Sequence, residues 1–249
     1  NGLSHNTTWC AIQDSYGFLW IGTSNGLNCY YGSGNKIYRN VLNDKYSLGN
    51  NFVSSLMEEG EDLWIGTSSG LYIYDRSDDH FLYFDKTTKY GVFISCEVKK
   101  IVKTKNGLIW IATLGQGIFI YDPAKDVLTQ NSIRTFFAWD ICQGTDSLVY
   151  VSSMQEGLLC FDEEGTFLQN YPVLSELSIG NQRINCLHSI EHEIWCGVGT
   201  NSLGCYQEGS QELKIYNTSA ESFSSILCLM DYSEKEMLVG TDNGLYLFD

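Results

Sequence analysis

Nearly the same twelve residues occur twice in this chain. The segment LWIGTSNGLNCY spans residues 19–30, and LWIGTSSGLYIY spans residues 63–74. Weaker copies follow, and the aromatic or apolar residues that mark the six copies are Trp20, Trp64, Trp110, Tyr150, Trp195 and Leu238. A catalytic motif normally occurs once, whereas a packing unit recurs because each copy is buried against the next. Six copies at a spacing of about 40 to 46 residues therefore predict a repeat fold.

Each copy has the same internal order of short segments. An apolar segment such as WCAI, from Trp9, is followed by a polar turn, the marked segment, a turn of small residues, a GLxxY-type segment and a fourth segment such as KIYRNV, from Lys36. These segments are short, rich in β-branched and aromatic residues, and bounded by Gly, Asn, Asp and Ser, which is the pattern of strands and hairpins. The sequence therefore predicts an all-β fold, a β-propeller with six four-stranded-type repeats.

We expect a single β-propeller domain over residues 1–249. The predicted repeats lie at about 3–41, 48–85, 96–130, 135–171, 181–218 and 223–249. The last repeat is incomplete, because the sequence given stops after its third segment. We expect the first strand of each repeat to be innermost and least exposed, and the fourth to be outermost. An incomplete last blade leaves a strand edge that can pair with another chain, so we expect the chain to be oligomeric or only marginally stable.

One column of glycines falls in the turn before the third strand. Its members are Gly26, Gly70, Gly117, Gly157 and Gly244. Such a turn favours a residue that adopts positive φ at little cost, which predicts that conformation for all five. Ser202 interrupts the column, so the sequence predicts an altered turn in the fifth repeat.

Composition excludes several classes of partner. The chain carries 15 Lys and Arg against 30 Asp and Glu, a net charge of −15. Nucleic-acid binding needs a basic face, so we expect no nucleic-acid partner. No run of 18 apolar residues is present, so we expect no membrane contact in this segment.

The nine cysteines are interpreted as free core thiols. Cys29, Cys160 and Cys205 share a column that Ile or Leu occupies in other copies, as expected of small buried apolar side chains. Cys96 is the one expected to be most exposed. No cofactor, metal site or catalytic residue is predicted.

Candidate ligand-binding residues lie in the segments that lead into the first strands. Long loops at 42–52, 86–97 and 172–183 precede three of these strands, and variable loops on a rigid scaffold commonly carry recognition. Aromatic and arginine side chains suit the faces and hydroxyl groups of sugars. The candidates are Tyr90, Arg134, Trp139 and Arg183. The alternative for each is an ordinary packing or surface role.

The segment from Gly2 to Gly32, GLSHNTTWCAIQDSYGFLWIGTSNGLNCYYG, resembles the two-component regulator propeller repeat. The matching features include the GLSHNT start, Gln13, Asp14, the LWIGT block and Gly26. The resemblance extends over all six copies and is clearest in the first three. It implies the periplasmic sensor region of a hybrid two-component protein with histidine kinase and response regulator parts. It also implies a glycan-derived oligosaccharide as ligand, a homodimer formed through the parent protein, and a larger seven-bladed ring.

Two other functional classes stay open at this point. One is a scaffold propeller for protein–protein contacts or dimerisation. The other, less favoured, is a polysaccharide lyase or hydrolase. Because one fold supports many functions, the fold alone does not decide between these alternatives. The resemblance favours a segment that recognises a ligand and does no chemistry itself.

Overall fold

The structure is a computed structural model of the chain. It describes residues 2–32, 34–133, 135–171, 183–199, 202–208, 213–217, 225–233 and 236–248. The chain forms two compact units. Unit 1 comprises residues 1–103 and 109–130, and unit 2 comprises residues 104–108 and 131–249. The prediction of a single domain stays a prediction. None of the described residues forms a helix of the length and hydropathy needed to cross a bilayer.

Unit 1 contains three four-stranded antiparallel sheets, here called blades 1 to 3. Their strands are β1 (Thr8–Gln13), β2 (Leu19–Thr23), β3 (Gly26–Tyr31), β4 (Gly34–Tyr38), β5 (Val53–Glu59), β6 (Asp62–Thr67), β7 (Gly70–Asp75), β8 (His80–Tyr83), β9 (Glu97–Lys103), β10 (Ile109–Leu114), β11 (Gly117–Asp122) and β12 (Val127–Gln130).

Unit 2 contains blades 4 to 6. Their strands are β13 (Ala138–Gln143), β14 (Val149–Ser153), β15 (Gly157–Phe161), β16 (Phe167–Tyr171), β17 (Ile184–Ile190), β18 (Glu193–Val198), β19 (Ser202–Gln207), β20 (Leu213–Asn217), β21 (Ile226–Asp231), β22 (Met237–Thr241) and β23 (Gly244–Phe248). Among the described residues, blade 6 has three strands, as predicted, and every other blade has four.

Strand order in every blade follows the chain, so the first and last strands form the two edges. The first strands contact one another within each unit: β5 contacts β1 and β9, and β17 contacts β13 and β21. The expectation that first strands are least exposed is wrong. In β1 and β21 most residues are exposed, whereas every residue of β14 is buried. A middle strand has a hydrogen-bonded neighbour on both sides, whereas a first strand has only one. The first strands β5 and β17, which contact another first strand on each side, contain no exposed residue.

Successive side chains of a strand point to opposite sides of the sheet, so each blade has two faces. Within a unit, the face that packs on the next blade along the chain is here called the rear face, and the face that packs on the previous blade is called the front face; equivalent faces of the other blades take the same names. In unit 1, Trp20 and Leu27 on the rear face of blade 1 pack against Leu63 and Ile65 on the front face of blade 2. The same contact joins blades 2 and 3, and in unit 2 it joins blades 4 and 5 and blades 5 and 6. These contacts between blades form the cores of both units.

The glycine column has the conformation that the sequence predicts. The φ angles are 126° at Gly26, 122° at Gly70, 76° at Gly117, 83° at Gly157 and 134° at Gly244. A threonine at or next to the end of the second strand closes four of these turns. The hydroxyl groups of Thr23, Thr67, Thr113 and Thr241 each donate a hydrogen bond to the carbonyl of the glycine. The residues just before Ser202 lie outside the described residues, so the altered turn predicted there is not described.

The cysteines form no disulfide in the structure, and five of the nine are buried. Cys29, Cys160 and Cys205 are among the buried ones, as their shared column predicts. The expectation for Cys96 is wrong, because Cys96 is partly buried and Cys228 on β21 is the exposed cysteine. Burial raises the pKa of the Cys96 thiol. Cys228 lies on the rear face of blade 6, in register with Gly240 and Leu245.

Buried charges also join blades 1 and 2. The side chain of Asp14 is fully buried, and its Oδ2 accepts hydrogen bonds from Trp20 Nε1 and from Arg76, each at 2.7 Å. Arg76 comes from the turn after β7 and also contacts Glu58 at 3.1 Å. The backbone nitrogen of Phe18 donates to Asp14 Oδ1 at 2.8 Å. Asp14 therefore holds a turn of blade 1 to a turn of blade 2.

Candidate functional site

The segments that lead into the first strands meet the turns between second and third strands at one edge of each blade, here called the upper edge. The same backbone hydrogen bond marks this edge in five blades. It runs from Ser24 N to Thr7 O, from Ser68 N to Phe52 O, from Met154 N to Phe137 O, from Gly199 N to Arg183 O and from Asp242 N to Ser225 O. Of the loops expected to carry recognition, the one at 42–52 is next to such a turn through Phe52, and Arg183, the last residue of the loop at 172–183, is next to another.

A β-bulge interrupts the first strand of every blade near the upper edge. The pairing of the first strand with the second skips one residue in each blade; the skipped residues are Trp9, Ser54, Lys99, Trp139, Asn185 and Leu227. A bulge leaves its extra residue unpaired and redirects that side chain. The side chains at this bulge position differ between blades and include two tryptophans, a lysine and an asparagine.

Two of the four predicted site residues are brought together in unit 2. The guanidinium carbon of Arg183 lies over the Trp139 ring, 5.1 Å from its centroid. Arg183 Nε donates to Asn185 Oδ1 at 2.6 Å. Asn185 is only 6% exposed, and its Nδ2 donates to the carbonyl of Gly199 at 3.0 Å. The side chain of Asn185 therefore holds Arg183 over the Trp139 ring. Asn185 was not among the site residues predicted from the sequence.

Exposed apolar side chains lie near this pair. Phe136 and Phe137 precede Trp139 and are 56% and 38% exposed. Met154, in the turn that hydrogen-bonds to Phe137, is 39% exposed. The upper edge of blade 4 therefore presents several aromatic groups beside a cation, an arrangement that suits a neutral or anionic ligand with an apolar face.

The other two predicted residues do not join this group. Tyr90 belongs to unit 1, where it is 82% exposed and has Lys89 Nζ 5.0 Å from its ring centroid. Its backbone nitrogen donates to Thr88 Oγ1 at 3.3 Å. Tyr90 is thus a solvated loop residue in the structure. Arg134 lies outside the described residues.

Unit 1 has a second tryptophan and cation pair that the sequence-based prediction missed. Trp9 is 46% exposed, and Lys99 Nζ lies 5.3 Å from its ring centroid. Phe52 contacts the same ring at 5.1 Å, and Trp9 Nε1 donates to Ser24 Oγ at 2.9 Å. Aligning WCAI with AWDIC by their tryptophans would have placed Trp9 and Trp139 at the same bulge position. That signal was available in the sequence.

The carboxylate beside Trp139 is occupied by backbone contacts. Asp140 Oδ2 accepts from the backbone nitrogen of Leu187 at 2.9 Å, and Oδ1 accepts from that of Ile141 at 2.9 Å. The same kind of contact joins Ser55 Oγ to the nitrogen of Ile101 in unit 1. Asp140 therefore connects the first strands of blades 4 and 5 and is not placed to act as a general base.

One hydroxyl, imidazole and carboxylate group in unit 2 superficially resembles a catalytic triad. Thr145 Oγ1 lies 2.9 Å from His192 Nδ1, but Glu208 Oε2 approaches the same nitrogen at 3.3 Å. A triad needs the hydroxyl and the carboxylate on different ring nitrogens. Both oxygens of Glu208 accept from Thr145, as those of Glu58 accept from Ser15 in unit 1. Because the same type of contact occurs between blades in both units, we assign it a role in holding the blades together and not in catalysis.

The fold is that of a β-propeller with six blades, as solved structures of the same class support. The chain has a TM-score of 0.81 with the extracellular domain of a putative hybrid two-component system from B. thetaiotaomicron, at 19% identity over 100% of this chain and 34% of that one. The corresponding domain of a putative one-component system from that organism gives 0.75, at 23% identity over 98% of this chain and 32% of that one. This chain thus spans about a third of the length of both.

The sequence adds a more specific relationship for the first repeat. Residues 2–25 match the family model described as "Two component regulator propeller", as the GLSHNT and LWIGT segments predict. Virginiamycin B lyase from Staphylococcus aureus is also similar in fold, with a TM-score of 0.75 at 13% identity over 98% of this chain and 80% of that one. No functionally curated protein is significantly similar to the chain.

Proposed function

We propose that the chain is a ligand-recognition module of a periplasmic two-component signalling protein, and that it does no chemistry itself. The observation that carries this proposal is the Trp139 and Arg183 pair at the upper edge of unit 2, held by Asn185. The match of residues 2–25 to a regulator propeller family and the likeness to extracellular sensor domains support the signalling role.

The ligand we propose is an oligosaccharide derived from a glycan. A sugar ring offers an apolar face to an aromatic ring and hydroxyl groups to an arginine, and binding sites commonly combine apolar walls with a few placed polar groups. Phe136, Phe137 and Trp139 supply the aromatic surface, and Arg183 supplies the donors. The formal charge of −15 does not oppose a neutral saccharide.

Replacing Trp139 with alanine is expected to weaken saccharide binding about 5- to 150-fold, because the comparable stacking of a nucleobase on an aromatic side chain contributes roughly 1–3 kcal/mol. Arg183→Ala is expected to weaken it by a similar factor. Calorimetric titration of the chain with a panel of glycan oligosaccharides measures both effects. Arg39→Ala, which removes an exposed arginine of unit 1, is the matched control and should leave affinity unchanged.

The alternatives predict different results in the same experiment. If the chain turns over a glycan, the lyase or hydrolase class replaces the proposal. If no saccharide in a broad panel binds, or if neither substitution changes the affinity, a scaffold propeller for protein–protein contacts becomes the better supported function. In the intact parent protein, Trp139→Ala should also raise the saccharide concentration that gives half-maximal signalling.

A further inference from the structure

The guanidinium group of Arg183 has hydrogen-bond donors that its contacts with Trp139 and Asn185 do not use. Arginine carries one N–H donor on Nε and two on each of Nη1 and Nη2, which together are here called the fork. Only Nε donates to Asn185 Oδ1. The contact with the Trp139 ring uses the face of a guanidinium and leaves the donors at its edge available. Within the described part of the chain, no Asp or Glu carboxylate pairs with Arg183.

A second arginine of the chain shows what such a fork binds when a partner is supplied. Arg76 also lies over an indole, with its guanidinium carbon 6.0 Å from the Trp20 ring centroid. A neutral backbone carbonyl accepts from its Nε at 2.7 Å. Its fork, however, donates to two carboxylates, those of Asp14 at 2.7 Å and Glu58 at 3.1 Å. Arg183 likewise has a neutral acceptor on Nε, but the carboxylates have no counterpart among the described residues.

Two further contacts fix the direction in which the Arg183 fork points. Gly199 N donates to the Arg183 carbonyl at 2.8 Å, and Asn185 Nδ2 donates to the Gly199 carbonyl at 3.0 Å. Asn185 is buried, so the amide that accepts from Nε has little freedom to move. A group that is already held in its binding orientation loses less conformational entropy when a ligand binds. The fork is therefore preorganised for an acceptor.

Two carboxylates at the upper edge of blade 4 are bound to other groups. Asp140 accepts from two backbone nitrogens. Glu156, in the turn after β14, accepts from the hydroxyl groups of Thr135, at 3.0 Å, and of Ser153. More distant charges of this acidic chain are screened over about 8 Å at physiological salt. The charge nearest to an anion at the fork is therefore that of the guanidinium itself.

We propose that the oligosaccharide bound at Trp139 and Arg183 carries a carboxylate, as uronic acids do, and that the fork of Arg183 holds this carboxylate. The inference rests on the proposed function and names the class of saccharide. A carboxylate accepts two parallel hydrogen bonds from a guanidinium, and such charge-assisted bonds are about twice as strong as neutral ones. The hydroxyl groups of a neutral sugar carry no charge that compensates a guanidinium removed from water.

Matched pairs of saccharides test the proposal without any substitution. Calorimetric titration compares short oligogalacturonates, oligoglucuronates and oligomannuronates with their carboxyl-reduced forms, in which a primary alcohol replaces each carboxylate. At least one acid is expected to bind about tenfold more tightly than its reduced form, because hydrogen bonds to a charged group are the stronger ones. Higher salt should weaken binding of the acid and leave binding of the reduced form unchanged.

Substitutions at Arg183 then assign the preference to the fork. Arg183→Gln removes both the charge and the fork, so the ratio of the two affinities should fall to about one. Arg183→Lys keeps the charge without the planar fork, so the ratio should take an intermediate value. Arg39→Gln, at an exposed arginine of unit 1, is the matched control and should keep the full ratio. Thermal melting followed by circular dichroism checks that each variant is folded.

The outcomes separate this inference from the proposed function. Equal binding of every acid and its reduced form overturns the inference and leaves the proposed function standing. Tighter binding of a sulfated galactan oligosaccharide than of every uronate, or a full preference for the acid in Arg183→Gln, also overturns the inference. A chain that binds no saccharide, acid or neutral, overturns the proposed function and this inference with it.

Discussion

Replacing Asp14 with alanine is expected to destabilise unit 1 by about 3 to 5 kcal/mol, the usual result of removing one partner of a buried ion pair. The side chain of Asp14 is fully buried and its loss leaves Arg76 without its nearest carboxylate and Trp20 Nε1 without an acceptor. Urea unfolding followed by tryptophan fluorescence measures the change. Glu61→Ala, at an exposed position in the turn that Arg76 contacts, should change stability by less than about 0.5 kcal/mol.

The double variant Asp14→Ala with Arg76→Met distinguishes the contribution of the ion pair to the free energy of unfolding from that of side-chain packing. When both charges are removed, Arg76 is no longer left without its nearest carboxylate, and Glu58 keeps its hydrogen bonds from Ser15. The double variant should therefore be more stable than the sum of the two single changes implies. Additive effects of the two substitutions would contradict the role assigned to the pair.

The same carboxyl makes stability depend on pH. Burial raises the pKa of Asp14, but hydrogen bonds from Trp20, Arg76 and the Phe18 amide outweigh burial and lower that pKa below the ordinary value of 3.8. A carboxyl with a depressed pKa in the folded state stabilises the fold above its unfolded pKa. That stabilisation is lost as the pH falls through the lower folded value. Asp14→Asn should therefore show a smaller loss of stability between neutral and acidic pH than the unsubstituted chain.

Replacing Gly70 with alanine is expected to destabilise the fold by about 3 to 4 kcal/mol, through backbone strain at positive φ together with a steric clash. Gly70 has φ of 122°, and a Cβ there would lie 2.8 Å from the carbonyl oxygen of Ile94 and 3.0 Å from the Tyr83 ring. A backbone oxygen cannot move aside without disturbing the segment that leads into β9. The free energy of unfolding in urea is the measurement.

Gly244→Ala is the matched control, because Gly244 occupies the same turn of blade 6. Its φ is 134°, but the nearest atom to an added Cβ is 3.9 Å away. The control should therefore cost only the strain, about 1 to 3 kcal/mol. Equal costs at the two positions would mean that the close approach of Ile94 does not matter.

The sequence determined the features that recur in it. The strand order, the three-stranded last blade, the positive φ of Gly26 and the buried state of Cys29 all follow from a pattern repeated about every 40 to 46 residues. Such features depend on local backbone geometry and on alternation within a strand, which one repeat is enough to define. The position of the loops at the upper edge was predictable for the same reason, because antiparallel strands place alternate turns at the same end of a sheet.

Only the tertiary structure decided which side chains of different blades meet. Asp14 and Arg76 are distant in sequence, and so are Arg183 and the Trp139 ring that it contacts from the neighbouring blade. The exposure of Cys228 likewise depends on whether another blade covers its face, and no pattern within one repeat specifies that. Contacts between blades arise from the packing of whole sheets. The sequence singled out Trp139 and Arg183 separately, but only the structure showed that they form a pair and that Asn185 holds it.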